Sequence, residues 1–143
     1  MKIFCLSIYN QNYKEFEKLN LIPVGLGETS FDDKWINDKG KINISYKNKN
    51  FGEYTFHYHL WKNNIIAKDY NDWIGFCTYR RFWTPNILKN IQTLKDLDQS
   101  ILKEIPDNWN NFEVILGEPI IFKKIKNSKF IKRNIFEVLK KPT

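Results

Sequence analysis

Cysteine is almost missing from this 143-residue chain, and what little there is excludes two classes of protein. Only Cys5 and Cys77 are present, 72 positions apart and each inside an apolar, strand-like run. Such a pair fits buried, reduced thiols rather than a disulfide scaffold, and neither has a second metal ligand close by in sequence. Long apolar runs are also lacking. The longest uncharged one, Trp73 to Tyr79, suits a buried strand and falls far short of the roughly 20 residues of a membrane helix. The start, Met1-Lys2-Ile3-Phe4-Cys5, has no long apolar core and no small-residue cleavage site, so a cytoplasmic protein is expected. The six glycines form no P-loop, no G-x-G-x-x-G and no G-x-S-x-G, which leaves serine hydrolases and P-loop enzymes without support.

What the chain does have is aromatic mass and a lopsided charge. Hydrophobic residues make up 42% and aromatic residues 16%, enough for one packed core in a chain of this length. The net charge of +7 resides at the carboxyl end: residues 121–143 hold eight basic residues against Glu137, while residues 1–120 balance. A neutral body with a basic appendage is not the profile of a generally basic nucleic-acid binder. The expected organisation is an α/β domain over residues 1–122 and a basic tail over 123–143.

Strand and helix signals alternate along the body. Lys2 to Ile8 reads as a central parallel strand, apolar almost throughout. Asn12 would cap a short helix carrying Tyr13, Phe16 and Leu19, and Leu21-Ile22-Pro23-Val24 is extended again. Glu28 to Asn50 is polar and reads as a long functional loop. Asn50 and Glu53 have the spacing of a capping box, opening an aromatic helix that Asn63-Asn64 ends. Trp73 to Cys77 is the next strand. Thr84-Pro85 signals a helix whose apolar stripe runs from Ile87 to Ile105, and Pro106 stops it. Phe112 to Leu116 reads as a strand, Pro119 to Phe122 as extended, and Phe130 to Lys140 has helical spacing. This alternation favours an α/β layered fold with a mostly parallel central sheet.

Several residue groups invite chemistry. Tyr79-Arg80-Arg81 follows an apolar strand, where α/β sheets keep their ligand sites, and arginine binds phosphate bidentately. Along a regular strand Arg80 and Arg81 point to opposite faces unless the chain turns there; the plainer reading is two surface arginines. Glu53 is explained by its cap, although the same helix start would suit an anion if that side chain turned away. His57-Tyr58-His59 resembles a metal pair, but on a helix residues two apart lie roughly 200° apart. Asp96-Leu97-Asp98 matches the D-x-D text of metal-dependent nucleotide-sugar enzymes and meets the same objection inside a helix.

Read in order, Asn43-x-Ser45-x-Lys47-Asn48, Glu53, Trp61-Lys62-Asn63 and Tyr79-Arg80-Arg81 resemble a bacterial glycosyltransferase-like family. It is catalogued as domain of unknown function 4422 and occurs in capsular and exopolysaccharide biosynthesis proteins. The likeness covers roughly Met1 to Phe122. It implies a GT-A-like, Rossmann-type fold that binds a nucleotide-diphosphate sugar as donor, with a saccharide or lipid-linked acceptor. Asn43, Lys47, Asn48, Glu53, Tyr79, Arg80 and Arg81 fall on its motif positions, as donor-binding candidates without assigned roles. Thr78 departs from the His common in the family, whose domains usually continue further and supply acceptor contacts there. A divalent ion is the cofactor such chemistry often uses, yet no D-x-D is supported. Arg80 or Arg81 is then expected to stabilise the leaving diphosphate, with Tyr79 beside the donor and the Glu28–Asn50 loop closing over it. A different class of function is a non-catalytic module whose basic tail docks on anionic membrane, peripheral at the inner membrane, or on RNA.

Overall fold

The structure, a computed structural model, describes residues 1–86 and 93–118. Four strands, β1 (Lys2–Ser7), β2 (Ile22–Gly25), β3 (Ile36–Asn37) and β4 (Ile74–Thr78), form one sheet in the order β3-β2-β1-β4. Every pairing is parallel, so the fold is α/β and Rossmann-like, as the alternating signals imply. β1 is central, and five of its six residues are buried.

Period-two alternation in β1 builds a core on each face of the sheet. Ile3 and Cys5 pack with Cys77, with Phe16 of helix α1 (Tyr13–Lys18) and Leu19 at its C-cap, and with Trp35. Phe4 and Leu6 pack on the other face with Val24, Leu26 and with Phe56 and Leu60 of helix α3 (Tyr54–Lys62). Cys5 and Cys77 lie opposite each other in the β1–β4 register as free thiols. A hydrogen bond to Cys77 and burial push the Cys5 thiol well above its ordinary range.

Asparagine does at the helix ends what this glycine-poor chain seldom leaves to glycine. Asn20 and Asn64 adopt left-handed φ of 57° and 48° just past α1 and α3. Leu21 N–H then donates to Phe16 O at 2.9 Å and Ile65 N–H to Leu60 O at 3.2 Å, the closing bonds of a Schellman motif.

Several expectations change. Asn12 precedes α1 but sits at φ 65° and makes no side-chain cap. The aromatic helix does not run from a capping box, because Asn50 lies inside a separate short helix, α2 (Asn48–Phe51), and Glu53 makes no capping bond. Gly52, at φ 54° and ψ −132°, breaks the two apart in a conformation that a side chain would resist. Residues 28–50 are not a bare loop but carry β3, a 3-10 turn at Ser45–Lys47 and the start of α2.

Beyond β4 the expected long helix is not seen in the described residues. Thr84 Oγ1 donates to Asn86 O at 2.8 Å, and among the described residues between Thr84 and Ile105 the helical turn is a 3-10 one at Leu94–Leu97. Asp96 Oδ2 draws in both the N–H and the hydroxyl of Thr93, a local bond that competes with helix propagation. Leu97, Ile101 and Leu102 are nonetheless buried against the Cys5 face. Phe112 to Leu116 forms no strand, and Phe112, Val114 and Leu116 are 57%, 69% and 83% exposed.

Met1–Glu113 forms one compact unit and a second begins at Val114. The Ile87–Gln92 part of the apolar stripe, Pro119 to Phe122 and the basic tail lie outside the described residues. Among the described residues, no helix is long and apolar enough to cross a membrane.

Candidate functional site

The strand order creates a switch point. From β1 the chain moves outward through α1 to β2 and β3, then returns past β1 to β4. Connections leaving the carboxyl ends of β1 and β4 therefore diverge, and the crevice between them is where open α/β sheets bind ligands.

At the end of β1, buried Ser7 donates its hydroxyl to Tyr9 O at 2.7 Å and accepts Tyr9 N–H at 3.0 Å. This tight local bond delivers the Tyr9 ring, 52% exposed, to the crevice. At the end of β4, Tyr79 N–H still donates to Leu6 O of β1 at 3.1 Å. The chain then turns. Arg81 N–H donates to Thr78 O at 3.0 Å and Thr78 N–H to Arg81 O at 3.1 Å. Arg80 and Arg81 thus occupy a tight turn rather than alternating along a strand, and both are exposed.

Aromatic contacts tie the two strand ends together. Tyr9 and Tyr79 meet edge to face at 5.1 Å, and the Arg80 guanidinium lies 4.9 Å from the Tyr79 ring centre. Desolvation holds the Tyr79 phenol above its usual range, with Arg80 pulling the other way and Tyr9 and Glu53 adding to the rise. The Glu53 carboxylate, just before α3, acts on His57 as well. Neither guanidinium has an ion-pair partner among the described residues.

The model of the family described as Domain of unknown function (DUF4422) matches residues 2–141. The chain belongs to this family. No curated protein and no solved structure matches it.

The motif positions of this DUF4422 chain separate into two groups. Tyr79, Arg80 and Arg81 border the crevice, and Glu53 is exposed at the start of α3. Asn43 and Asn48 are engaged in holding their own loop. Asn43 Nδ2 donates to Gly40 O at 2.7 Å, and its Oδ1 accepts the Ser45 hydroxyl at 2.9 Å. Asn48 Nδ2 donates to Gly52 O at 2.8 Å and Thr55 Oγ1 at 3.1 Å, bridging the break between α2 and α3. Lys47 is exposed, its ammonium 5.5 Å from the neighbouring Tyr46 ring.

Two positioning residues escaped sequence reasoning. Asp38, completely buried just after β3, accepts Gly27 N–H with Oδ1 at 3.1 Å and Oδ2 at 3.3 Å. Ser7 carries the bond that aims Tyr9. An Asp-x-Gly in a polar segment, and a serine two residues before an aromatic at a strand end, are signals too common to have singled them out.

No three His, Cys, Asp or Glu side chains converge as metal ligands among the described residues. Asp96 is held by Thr93, and Asp98 pairs with Lys103 at 3.0 Å, so the D-x-D text does not form a donor set. His57 and His59 share a helix but not a site. His59 is buried, its Nδ1 3.0 Å from Asn63 Nδ2, while His57 stands edge-on to Phe76 at 4.4 Å.

Burial lowers the His57 pKa below its ordinary value, with Glu53 opposing. The unfolded chain therefore takes up this proton first as pH falls. Its contribution to stability is intact above about pH 6.5 and erodes below it. His57→Gln is expected to flatten the fall in melting temperature between about pH 7 and pH 5, as scanned by differential fluorimetry. An unchanged slope would show that His57 does not titrate out of step with the unfolded chain.

Proposed function

We propose that this DUF4422 domain binds a nucleotide-diphosphate sugar at the β1–β4 switch point and takes part in sugar transfer for surface polysaccharide synthesis. The observation that carries this reading is the turn at Thr78–Arg81. It places two exposed guanidinium groups, without a carboxylate partner among the described residues, at the carboxyl end of a parallel strand. A Rossmann-type sheet of this kind is the nucleotide-binding layer of a GT-A fold.

The chemistry follows from charge. When the bond between the anomeric carbon and the donor phosphate breaks, the bond's electron pair and a growing negative charge pass to the leaving diphosphate. Arg80 and Arg81 supply fixed cations where that charge develops, the kind of electrostatic contribution that dominates many transfer reactions. Arginine suits this because its planar fork meets two phosphate oxygens at once. The exposed Tyr9 ring offers a stacking surface for the base. Glu53, an exposed carboxylate at the start of α3 whose charge is felt at Tyr79, is the proposed base for the acceptor's hydroxyl proton.

A thermal-shift screen against UDP-, GDP-, CMP- and dTDP-sugars, with and without manganese, tests the reading. A bound donor at about 100 times its dissociation constant stabilises by roughly 2.7 kcal/mol. One nucleotide class is expected to give that shift. Arg80→Ala or Arg81→Ala is expected to lose most of it while keeping the melting temperature of the free protein, since both side chains are exposed. No shift with any donor, from well-folded protein, would overturn the proposal.

A further inference from the structure

Helix α3 carries a second feature, on the side away from the sheet. Thr55, Phe56, His59 and Leu60 form its buried stripe. Opposite them, Tyr54, Tyr58 and Trp61 succeed one another at the four- and three-residue spacing of a single helix face. Tyr54 is 70% and Trp61 68% exposed, and Phe51 and Ile65, at 49% and 44%, lie just before and after the helix. Scattered single apolar residues on a surface need no explanation, but an aligned aromatic row does.

The charges around this row are mainly positive. Residues 46–65 contain Lys47, Lys49 and Lys62 against Glu53 alone. Lys62 Nζ lies 3.7 Å from the Trp61 ring centre and 5.9 Å from that of Tyr58. The face therefore presents apolar ring bodies, polar hydroxyl and indole tips, and one ammonium group, that of Lys62, held over the rings. Tyrosine, tryptophan and lysine in this combination match the boundary between acyl chains and headgroups, where a ring sinks and its polar tip stays wet.

We propose that the exposed face of α3 seats this domain on the headgroup region of an anionic lipid bilayer. A purely phosphate-seeking surface has no use for Tyr54, Trp61 and Ile65 in water. A purely apolar partner surface has no use for a lysine poised above the rings, with two more just before the helix. A bilayer carrying negative headgroups uses both, through apolar insertion and attraction of each lysine to the surface.

Sedimentation of the full chain with phosphatidylglycerol-containing vesicles, against pure phosphatidylcholine vesicles, tests this. Binding is expected only where the anionic lipid is present. Tyr54→Ser/Trp61→Ser is expected to lower partitioning about tenfold or more with the melting temperature unchanged, because both side chains are exposed. Lys62→Gln is expected to lower it about fivefold, the effect of one cation near a charged surface. The proposal is overturned if the chain ignores both vesicles. It is equally overturned if the double variant sediments like the parent, including the case where only neutralising Lys123, Lys124, Lys126 and Lys129 releases it.

Discussion

Phe56→Ala is expected to cost about 3–5 kcal/mol of folding stability, a large part of what a domain of this size holds. The ring is completely buried on the α3 face of the sheet, with Phe4 at 5.4 Å and His59 at 6.2 Å, in a cluster with Leu6, Val24, Leu26 and Leu60. Deleting it removes the transfer free energy of a phenyl group and leaves a cavity that β1 cannot collapse to fill, since Phe4 is itself stacked on Phe76 at 5.7 Å. Phe51→Ala is the matched control, the same deletion five residues earlier. Phe51 is 49% exposed at the end of α2, so its loss is expected to cost no more than about 0.5 kcal/mol. Urea unfolding of the two variants side by side separates burial from hydrophobicity. Equal costs would mean that α3 does not pack on the sheet through this residue.

The same comparison shows what could be read from the residues. β1, β2 and β4 were legible because a strand covered on both faces is apolar at nearly every position, and Cys5 and Cys77 belong to such runs. β3 was not, because Ile36–Asn37 is two residues long and exposed, and its pairing with Val24 and Gly25 depends on where the chain returns. Of the stripe beyond Thr84, Ile101 and Leu102 enter the core while Leu94 and Ile105 are half-buried, and Leu97, outside that spacing, is buried as well. Hydrophobic spacing reports which side chains tend to face inward and not how the chain between them is wound. Phe112 to Leu116 has strand composition, yet Phe112, Val114 and Leu116 are all exposed, so composition alone did not decide the backbone there.

The crevice was half legible. An apolar strand ending in Tyr79-Arg80-Arg81 is visible in one dimension, and so is its placement at a sheet's carboxyl edge. The turn that brings both arginines out depends on the paired bonds between Thr78 and Arg81, for which neither residue type has a distinctive signature. The opposite wall, built from Ser7 and Tyr9, required the topology itself.

That wall is where a buried carboxylate with no motif exerts its effect. Asp38→Ala is expected to destabilise the fold by about 2–4 kcal/mol, because the Gly27 N–H would lose a charged acceptor and remain buried without one. The amide cannot easily turn elsewhere. Gly27 has φ 70°, and Asn48 lies about 3.0 Å from where a Cβ on Gly27 would sit, so the backbone is held from both sides. The effect should also spread towards the crevice. The Leu26 N–H beside Gly27 donates to Ser7 O at 2.9 Å, and the Ser7 hydroxyl positions Tyr9. Loosening Gly27 therefore loosens the β1 side of the crevice while leaving the arginine turn on β4 untouched. Asp38→Asn keeps an oxygen acceptor of the same shape and is expected to cost no more than about half as much, since a neutral acceptor makes the weaker bond. Urea unfolding gives the two costs. The donor-induced thermal shift, measured on the same pair, should be reduced more in Asp38→Ala than in Asp38→Asn. If the alanine variant unfolds like the parent, the Asp38–Gly27 bond does not organise this edge of the sheet. If it unfolds early but answers donors in full, the bond serves the fold without positioning Tyr9.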